Sequence, residues 1–315
     1  MHIPVLKKEV IEVFTYLADK DGFFVDGTLG LGGHSLALLK SFPKSRFKII
    51  GIDKDSSAQK IAEKNIDEKN LSDRFILIHN DFSNIKEILN DLQINKIDGA
   101  LIDLGVSSLQ LDQKERGFSF EDPTALLDMR MDQSQKVDAR FILNNYPKWD
   151  LEKILKEYGE EKFAKNIAKN ITQARVERHF ETVGELLAVL MQSIPKKQIY
   201  GSKKHFATNT FRALRMEVNH EVDRLEKTVN DFVEHLKAGS KIAIITFHSI
   251  EDRIVKNTLR TLSNPCECPA EIPYCVCGKK PSVELISNKP IIPTEDELKS
   301  NPRARSAKMR VAIKI

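Results

Sequence analysis

Residues 23–39 read Phe-Phe-Val-Asp-Gly-Thr-Leu-Gly-Leu-Gly-Gly-His-Ser-Leu-Ala-Leu-Leu. Phe23, Phe24 and Val25 form the end of a buried strand, and Leu36, Leu38 and Leu39 open an apolar helix, so Gly27 to Gly33 is a strand-to-helix turn. Four glycines in this turn let the backbone reach positive φ and admit a ligand where a Cβ would collide. The helix start beyond them offers unpaired N–H groups. Glycine also serves purely structural turns, so the next strand decides the reading. Lys48 to Ile52 is that strand, and it ends in Asp53. An acid at this spacing accepts two ribose hydroxyls in Rossmann-type adenosine sites.

The residues just after the glycines narrow the type of ribose ligand. His34-Ser35 stands where a Walker loop needs Gly-Lys-Ser or Gly-Lys-Thr. Ser35 also falls where the dinucleotide pattern started at Gly30 and Gly32 needs its third glycine. S-adenosylmethionine fits better: its adenosine suits Asp53, and its amino-acid tail needs backbone contacts at the glycines. A nicotinamide-dependent oxidoreductase is the rival reading, and a non-enzymatic RNA-binding protein with a vestigial pocket is another.

Three further strands are expected. Arg74 to His79 leads to Asn80-Asp81-Phe82, where Phe82 suits either an adenine stack or the core. Asp98 to Leu104 delivers Asp103 and Gly105 to the same edge, and Lys241 to Phe247 is a continuous apolar run suited to a central strand. Ligands in open parallel sheets bind at such converging strand ends. The loop after Asp103 lacks the Asp/Asn-Pro-Pro-aromatic tetrad of many amino-group methyltransferases, so that motif does not name the acceptor.

The 315 residues are 41% hydrophobic and 30% charged, a globular composition that fits one large domain or two. No apolar run approaches a bilayer span, and the first residues contain no signal-peptide apolar region, so a cytoplasmic protein without a membrane partner is expected. Net charge is +4, but residues 136–215 hold 16 Lys plus Arg against 9 Asp plus Glu, 16 − 9 = +7. Lys196, Lys197, Lys203 and Lys204 contribute to this excess, and Lys299, Arg303, Arg305, Lys308, Arg310 and Lys314 make the last stretch basic. Nucleic acid is the simplest partner for such a distribution, and a solvated helix face is the plainer alternative.

Long motifs then resemble one family, the bacterial small-subunit ribosomal RNA cytosine-N4 methyltransferases (RsmH, or MraW). They run from His2-x-Pro4-Val5-Leu6 through Asp26 to Ser35, Asp103 to Ser108, Glu115 to Phe120, Leu127 to Asp132, Tyr158 to Glu161 and Phe247 to Lys256, ending at Asn301 to Lys308. The resemblance implies an α/β, Rossmann-like methyltransferase sheet with an inserted helical domain. It implies S-adenosyl-L-methionine contacts at Gly32, Gly33, His34, Asp53, Phe82, Asp103 and Gln110, and methylation of N4 of a cytidine in the decoding region. The partner it implies is small-subunit ribosomal RNA or the assembled small subunit, with no obligate protein partner.

Strand patterning stops from about Leu111 to Lys204, where apolar residues recur at helical spacing, as in Leu151-Ile154-Leu155 and Phe163-Ile167-Ile171. This makes 111–204 the helical insert, which the resemblance assigns to substrate recognition, and 1–110 with 205–315 the methyltransferase domain. Pro195-Lys-Lys and Gly201-Ser-Lys-Lys mark its exit. The family's usual arginine is replaced by Asn209, while Arg212 follows three residues later on one helix face, displacing the cation by a turn. RNA-binding candidates are Arg212, Arg215, His248, Arg253, Arg303 and Arg305. His248-Ser249 is no hydrolase pair, since adjacent residues at a strand end point apart and no Gly-x-Ser-x-Gly elbow is present.

Cys266-x-Cys268 and Cys275-x-Cys277 are the only cysteines. Four thiolates suit tetrahedral zinc, but the pair spacing is tighter than usual, so reduced thiols near solvent are expected and no metal is assigned. No catalytic residue is singled out: aligning an exocyclic amine with an activated methyl needs hydrogen-bond acceptors, which Asp103 and the following loop supply, rather than a strong base.

Overall fold

The computed structural model describes residues 3–201, 204–269, 274 and 276–315, so His2, Lys203 and Cys275 lie outside the described residues. The chain divides into two compact units, residues 1–105 with 222–315, and residues 106–221.

The first unit is a seven-stranded sheet of order β3-β2-β1-β4-β5-β7-β6. Its strands are β1 (Phe23–Asp26), β2 (Lys48–Asp53), β3 (Phe75–His79), β4 (Ile97–Asp103), β5 (Leu236–Thr246), β6 (Val283–Leu285) and β7 (Lys308–Lys314). β1 to β5 run parallel, while β7 is antiparallel to both β5 and β6. β1 therefore lies between β2 and β4, the reversal point of the strand order, and a ligand crevice opens at the carboxyl ends there. Val25, Ile50, Ile52, Ile102, Ile242 and Ile244 are all fully buried, as expected of strands covered on both faces.

The helices of the first half are α1 (Lys7–Val13), α2 (Gly33–Ser41), α3 (Ser56–Asp67) and α4 (Ile85–Asp91). Asp55 caps α3 by accepting N–H bonds from Ser57 and Ala58, which explains where that helix starts. The second unit contains α5 (Ser108–Asp112), α6 (Ala139–Asn145), α7 (Lys148–Glu157), α8 (Ala164–Glu177), α9 (Val183–Ser193), α10 (Lys196–Gly201) and α11 (Thr208–Asn219). The chain returns to the sheet through α12 (Leu225–His235), α13 (Ser249–Ser263) and α14 (Glu295–Ser300). Val10, Leu38 and Leu39 of α1 and α2 share one core with Phe24 and Ile49. Ile88, Leu89, Val229, Phe232 and Val255 of α4, α12 and α13 share the other with Val25 and Ile50.

Within the helical unit, α7 buries Leu151, Ile154 and Leu155, and α8 buries Ala164, Ile167, Ala168 and Ile171. Both follow the i, i+3, i+4 stripe of an amphipathic helix. Thr182 and Glu185 form a capping box at the start of α9, and Asp138 accepts the Phe141 N–H at 2.8 Å to start α6. Asp128 holds Arg130 in a fork of 2.8 and 2.7 Å, and Asn219 bridges Met129 O and Met131 N–H, each at 2.7 Å. The Leu127–Asp132 motif is thus an internal brace of this unit.

Two expectations differ from this fold. The helical unit spans 106–221 rather than 111–204, because α11 places Phe211, Leu214 and Val218 in the same core as α7 and α8. The exit expected at Gly201 falls inside the unit, at the end of α10. β6 and β7 extend the sheet beyond the five strands expected, and β5 starts at Leu236, with a register shift against β4. Among the described residues no helix is long and apolar enough to cross a membrane.

Candidate active site

At the end of β1, Asp26 is buried and accepts the Ser35 hydroxyl at 2.6 Å and the Thr28 N–H at 3.3 Å. Burial pushes its carboxyl above the ordinary value, against the lowering effect of Ser35. The Thr28 hydroxyl accepts the Asp103 N–H at 2.6 Å, tying the glycine turn to the end of β4. Gly30 and Gly32 take φ of 53° and 80°, so the turn into α2 depends on their lacking a Cβ. Gly33 has a different reason: a Cβ there would stand 2.7 Å from Pro4 Cγ, so the N-terminal segment packs directly on the start of α2.

Asp53 ends β2 with both oxygens engaged. Oδ2 accepts the Gly30 N–H at 2.7 Å and Oδ1 the Asp55 N–H at 2.8 Å. Burial nonetheless raises its pKa to about 6. Beyond β3, Asp81 accepts the Ser83 N–H at 2.8 Å, and its carboxyl lies 3.5 Å from Lys54. Burial pushes Asp81 up, but Lys54 and Ser83 together hold it below the ordinary value. Phe82 follows it, half-buried against the sheet core, close enough that a Cβ on Gly27 would stand 3.3 Å from its own Cβ.

His34 and Asp103 carry the unmet bonding capacity of this edge. His34 is 8% exposed, and neither ring nitrogen has a hydrogen-bond partner. Its Nε2 is 3.6 Å from Asp103 Oδ2, beyond hydrogen-bond reach, while Asp103 Oδ1 is buried and equally unpartnered. Native folds rarely leave such atoms unsatisfied unless a ligand or water completes them. Beside a carboxylate suited to ribose and a glycine turn open to backbone contact, these atoms fit an adenosine-bearing cofactor with a polar, charged tail.

The sheet unit thus brings Gly32, Gly33, His34, Asp53, Phe82 and Asp103 together around the β1–β4 reversal. Gln110 belongs to the helical unit. Its side-chain oxygen accepts the Ser107 N–H at 2.9 Å, and its own N–H donates to Ser107 Oγ at 3.2 Å, a capping box at the start of α5. The Ser107-x-x-Gln110 spacing signals that role in the sequence.

Of the RNA-binding candidates, Arg212 and Arg215 have their charges engaged within the helical unit. Arg212 Nε donates to Tyr158 O at 3.1 Å, its Nη2 donates to Gly159 O, and Glu160 lies 3.6 Å away. Arg215 forks onto Glu221 with two bonds of 2.8 Å. Asn209, where the family arginine was expected, accepts Lys204 Nζ at 2.6 Å. His248 caps α13 by accepting the Glu251 N–H at 3.3 Å, and its Nε2 lies 3.0 Å from Glu251 without hydrogen-bond alignment. Arg253, Arg303 and Arg305 are exposed. In the basic end segment, Arg310 binds Asp252 at 2.7 and 3.2 Å and Lys308 binds it at 3.2 Å. Burial raises Asp252, but Arg310 and Lys308 outweigh it and hold the carboxyl low.

This sheet, parallel through β1 to β5 and closed by an antiparallel β7, is the Rossmann-like architecture of an S-adenosylmethionine-dependent methyltransferase. The chain belongs to the MraW methylase family, which it matches over residues 1–315. It is 46% identical over 314 residues to the ribosomal RNA small subunit methyltransferase H of Clostridium botulinum (strain 657 / Type Ba4), covering 100% of this chain and 99% of that one. The Finegoldia magna protein of the same name is 46% identical over 315 residues, covering 100% and 98%. The ribosomal RNA small subunit methyltransferase H 2 of Agathobacter rectalis is 44% identical over 310 residues, covering 98% and 97%. The chain is accordingly a methylase of that family, and the relatives named here are methyltransferases of small-subunit ribosomal RNA.

Proposed function

We propose that the protein transfers the methyl group of S-adenosylmethionine to N4 of a cytidine in the decoding region of small-subunit ribosomal RNA, in the cytoplasm, on the RNA or the assembled subunit. The observation that carries the choice of acceptor is the buried, unpartnered Asp103 Oδ1 at the end of β4. An exocyclic amine carries N–H donors, and its lone pair is delocalised into the ring. A fixed carboxylate oxygen that accepts one N–H orients the nitrogen and draws the lone pair toward the methyl. A carbon-5 transfer would need a cysteine nucleophile, and the described cysteines lie in the loop after α13, away from the strand ends.

Asp53 would hold the ribose hydroxyls, Phe82 the adenine face, and the Gly33 N–H with the His34 ring the amino-acid tail, while Gly32, whose N–H donates to Leu29 O at 2.8 Å, lets that tail approach the turn. When bound, the sulfonium makes its methyl electrophilic, so the protein has mainly to align and to exclude water. The proton becomes acidic once the nitrogen is methylated, and Asp103 sits within one relay of His34, 3.6 Å away. The target base has to be unstacked or unpaired to present its amine.

The helical unit is the proposed substrate-recognition domain. Lys148, Lys162, Lys165 and Lys169 line one shallow cleft with Phe163 and Asn166, a combination of cations and an aromatic that suits a phosphate backbone and an unstacked base. Arg253, Arg303 and Arg305 are the proposed contacts on the sheet unit. Arg212 and Arg215 support the helical unit from within. The test is nucleoside mass spectrometry of ribosomal RNA from cells with and without the gene. N4-methylated cytidine is expected only where the gene is present; equal amounts in both would refute the assignment.

A further inference from the structure

Between Ser263 at the end of α13 and Val283 at the start of β6 the chain has a long loop without helix or strand among its described residues. Such loops are uncommon inside compact units unless they carry a function. Apolar burial does not hold this one, since Tyr274 is 73% and Val276 65% exposed. α13 starts beyond the carboxyl end of β5 and returns along the sheet, so the loop lies at the edge opposite the cofactor residues. Lys279 Nζ reaches Glu267 Oε1 at 2.5 Å across it, and the Ser282 N–H donates to Leu262 O at 2.9 Å at its base. One sulfur from each of Cys266, Cys268 and Cys277 lies within 4.8 Å of the other two.

We propose that this loop is a zinc-binding clip in which the thiolates of Cys266, Cys268 and Cys277 are three of the metal ligands. Zinc holds sulfur at about 2.3 Å in a tetrahedron, which sets neighbouring sulfurs about 3.8 Å apart. The Cys266 and Cys277 sulfurs are 4.0 Å apart, close to that edge and about twice the ~2.05 Å of a disulfide. The Val276 N–H donates to Cys268 Sγ at 3.3 Å, an outer bond of the kind that orients a ligating thiolate. Binding displaces one proton from each thiol to solvent and changes no oxidation state. The one-residue spacing within each pair is tight only in sequence; the fold closes the site by bringing Cys277 back to Cys266 and Cys268. Cys275 lies outside the described residues, and the inference rests on the other three.

Full-length protein purified with zinc and reductant, then freed of loose metal, is analysed by inductively coupled plasma mass spectrometry; one zinc per chain is expected. Cobalt(II) in place of zinc is expected to give a thiolate charge-transfer band and tetrahedral visible bands. Cys266→Ser/Cys277→Ser is expected to lose both signals while keeping its far-ultraviolet circular dichroism and its S-adenosylmethionine affinity within twofold. Should that variant misfold, the wild-type metal content and cobalt spectrum decide alone. Wild-type protein that takes up neither metal, a folded double variant with full metal content, or wild-type protein whose intact mass shows these cysteines disulfide-bonded after purification with zinc would overturn the inference.

Discussion

Asp53 combines two demands that pull against each other. In its proposed role it must be ionised to accept both ribose hydroxyls, yet burial lifts its pKa to about 6. That value lies above the ordinary 3.8, so the ligand-free fold loses stability as pH rises from about 4 through 6. Cofactor affinity should move the other way: flat above pH 6, and falling toward tenfold per unit below it, as calorimetry across pH will read. Asp53→Ala should weaken binding by about 1.5–3 kcal/mol and abolish that pH dependence. His34→Phe removes ring nitrogens that have no partner in the fold, so thermal melts should barely change while cofactor affinity drops. Asp53, Phe82, Asp103 and the glycines are readable from strand ends alone, because the α/β topology constrains where such residues emerge. His34 needs the family resemblance, since a histidine opening a helix has no distinctive spacing. Gln110 also comes from the family resemblance, and its side chain caps the start of α5.

Among the elements, α11 is held to the 158–160 turn by Arg212. That guanidinium donates to two backbone carbonyls, so Arg212→Ala should destabilise the helical unit by about 2–4 kcal/mol. Denaturant unfolding will measure the loss, and RNA affinity measured well below the new midpoint should stay near wild type. A direct RNA contact would instead lose affinity without losing stability. At the amino end of the sheet, the Tyr16 hydroxyl donates to Asp98 O at 2.6 Å and accepts the Lys241 N–H at 3.0 Å. Burial raises that hydroxyl to about 12, so it stays protonated across the working range. Tyr16→Phe should cost about 1–3 kcal/mol by leaving the Lys241 N–H unpaired, read as a lower Tm. β7 is hard to find in the sequence because its charges suggest RNA. The period-two order of Met309 and Val311 is there to be read, and Lys308 and Arg310 clamp Asp252 instead.

For the whole molecule, the basic excess lies in residues 136–215, 16 − 9 = +7, rather than in the helical unit as a whole, where 106–221 holds 19 Lys plus Arg against 17 Asp plus Glu; RNA binding through that segment should weaken steeply with salt. Reversing Lys162, Lys165 and Lys169 together should lower RNA affinity and flatten the salt slope by roughly 0.7–0.9 for each phosphate no longer neutralised, as filter binding across salt will show. Unchanged slopes would place the RNA elsewhere. The presence of a helical insert is readable from the change of apolar period, but its end is not: a glycine followed by lysines reads as a boundary, while the unit runs on through α11 to Glu221.

The insertion also sets the order in which the protein can fold. β4 and β5 are hydrogen-bonded neighbours, yet all of Val106–Glu221 is synthesised between them. Within the helical unit α7 packs on α8 and α8 on α9, chain neighbours that can form early, whereas the central parallel pair must close a very long loop. Refolding should therefore show a fast phase that recovers much of the helical signal, followed by a slow phase that restores cofactor binding. During that interval β4 keeps an unpaired edge while the helical unit is already finished, which makes the half-folded chain the state most exposed to aggregation and to chaperone capture.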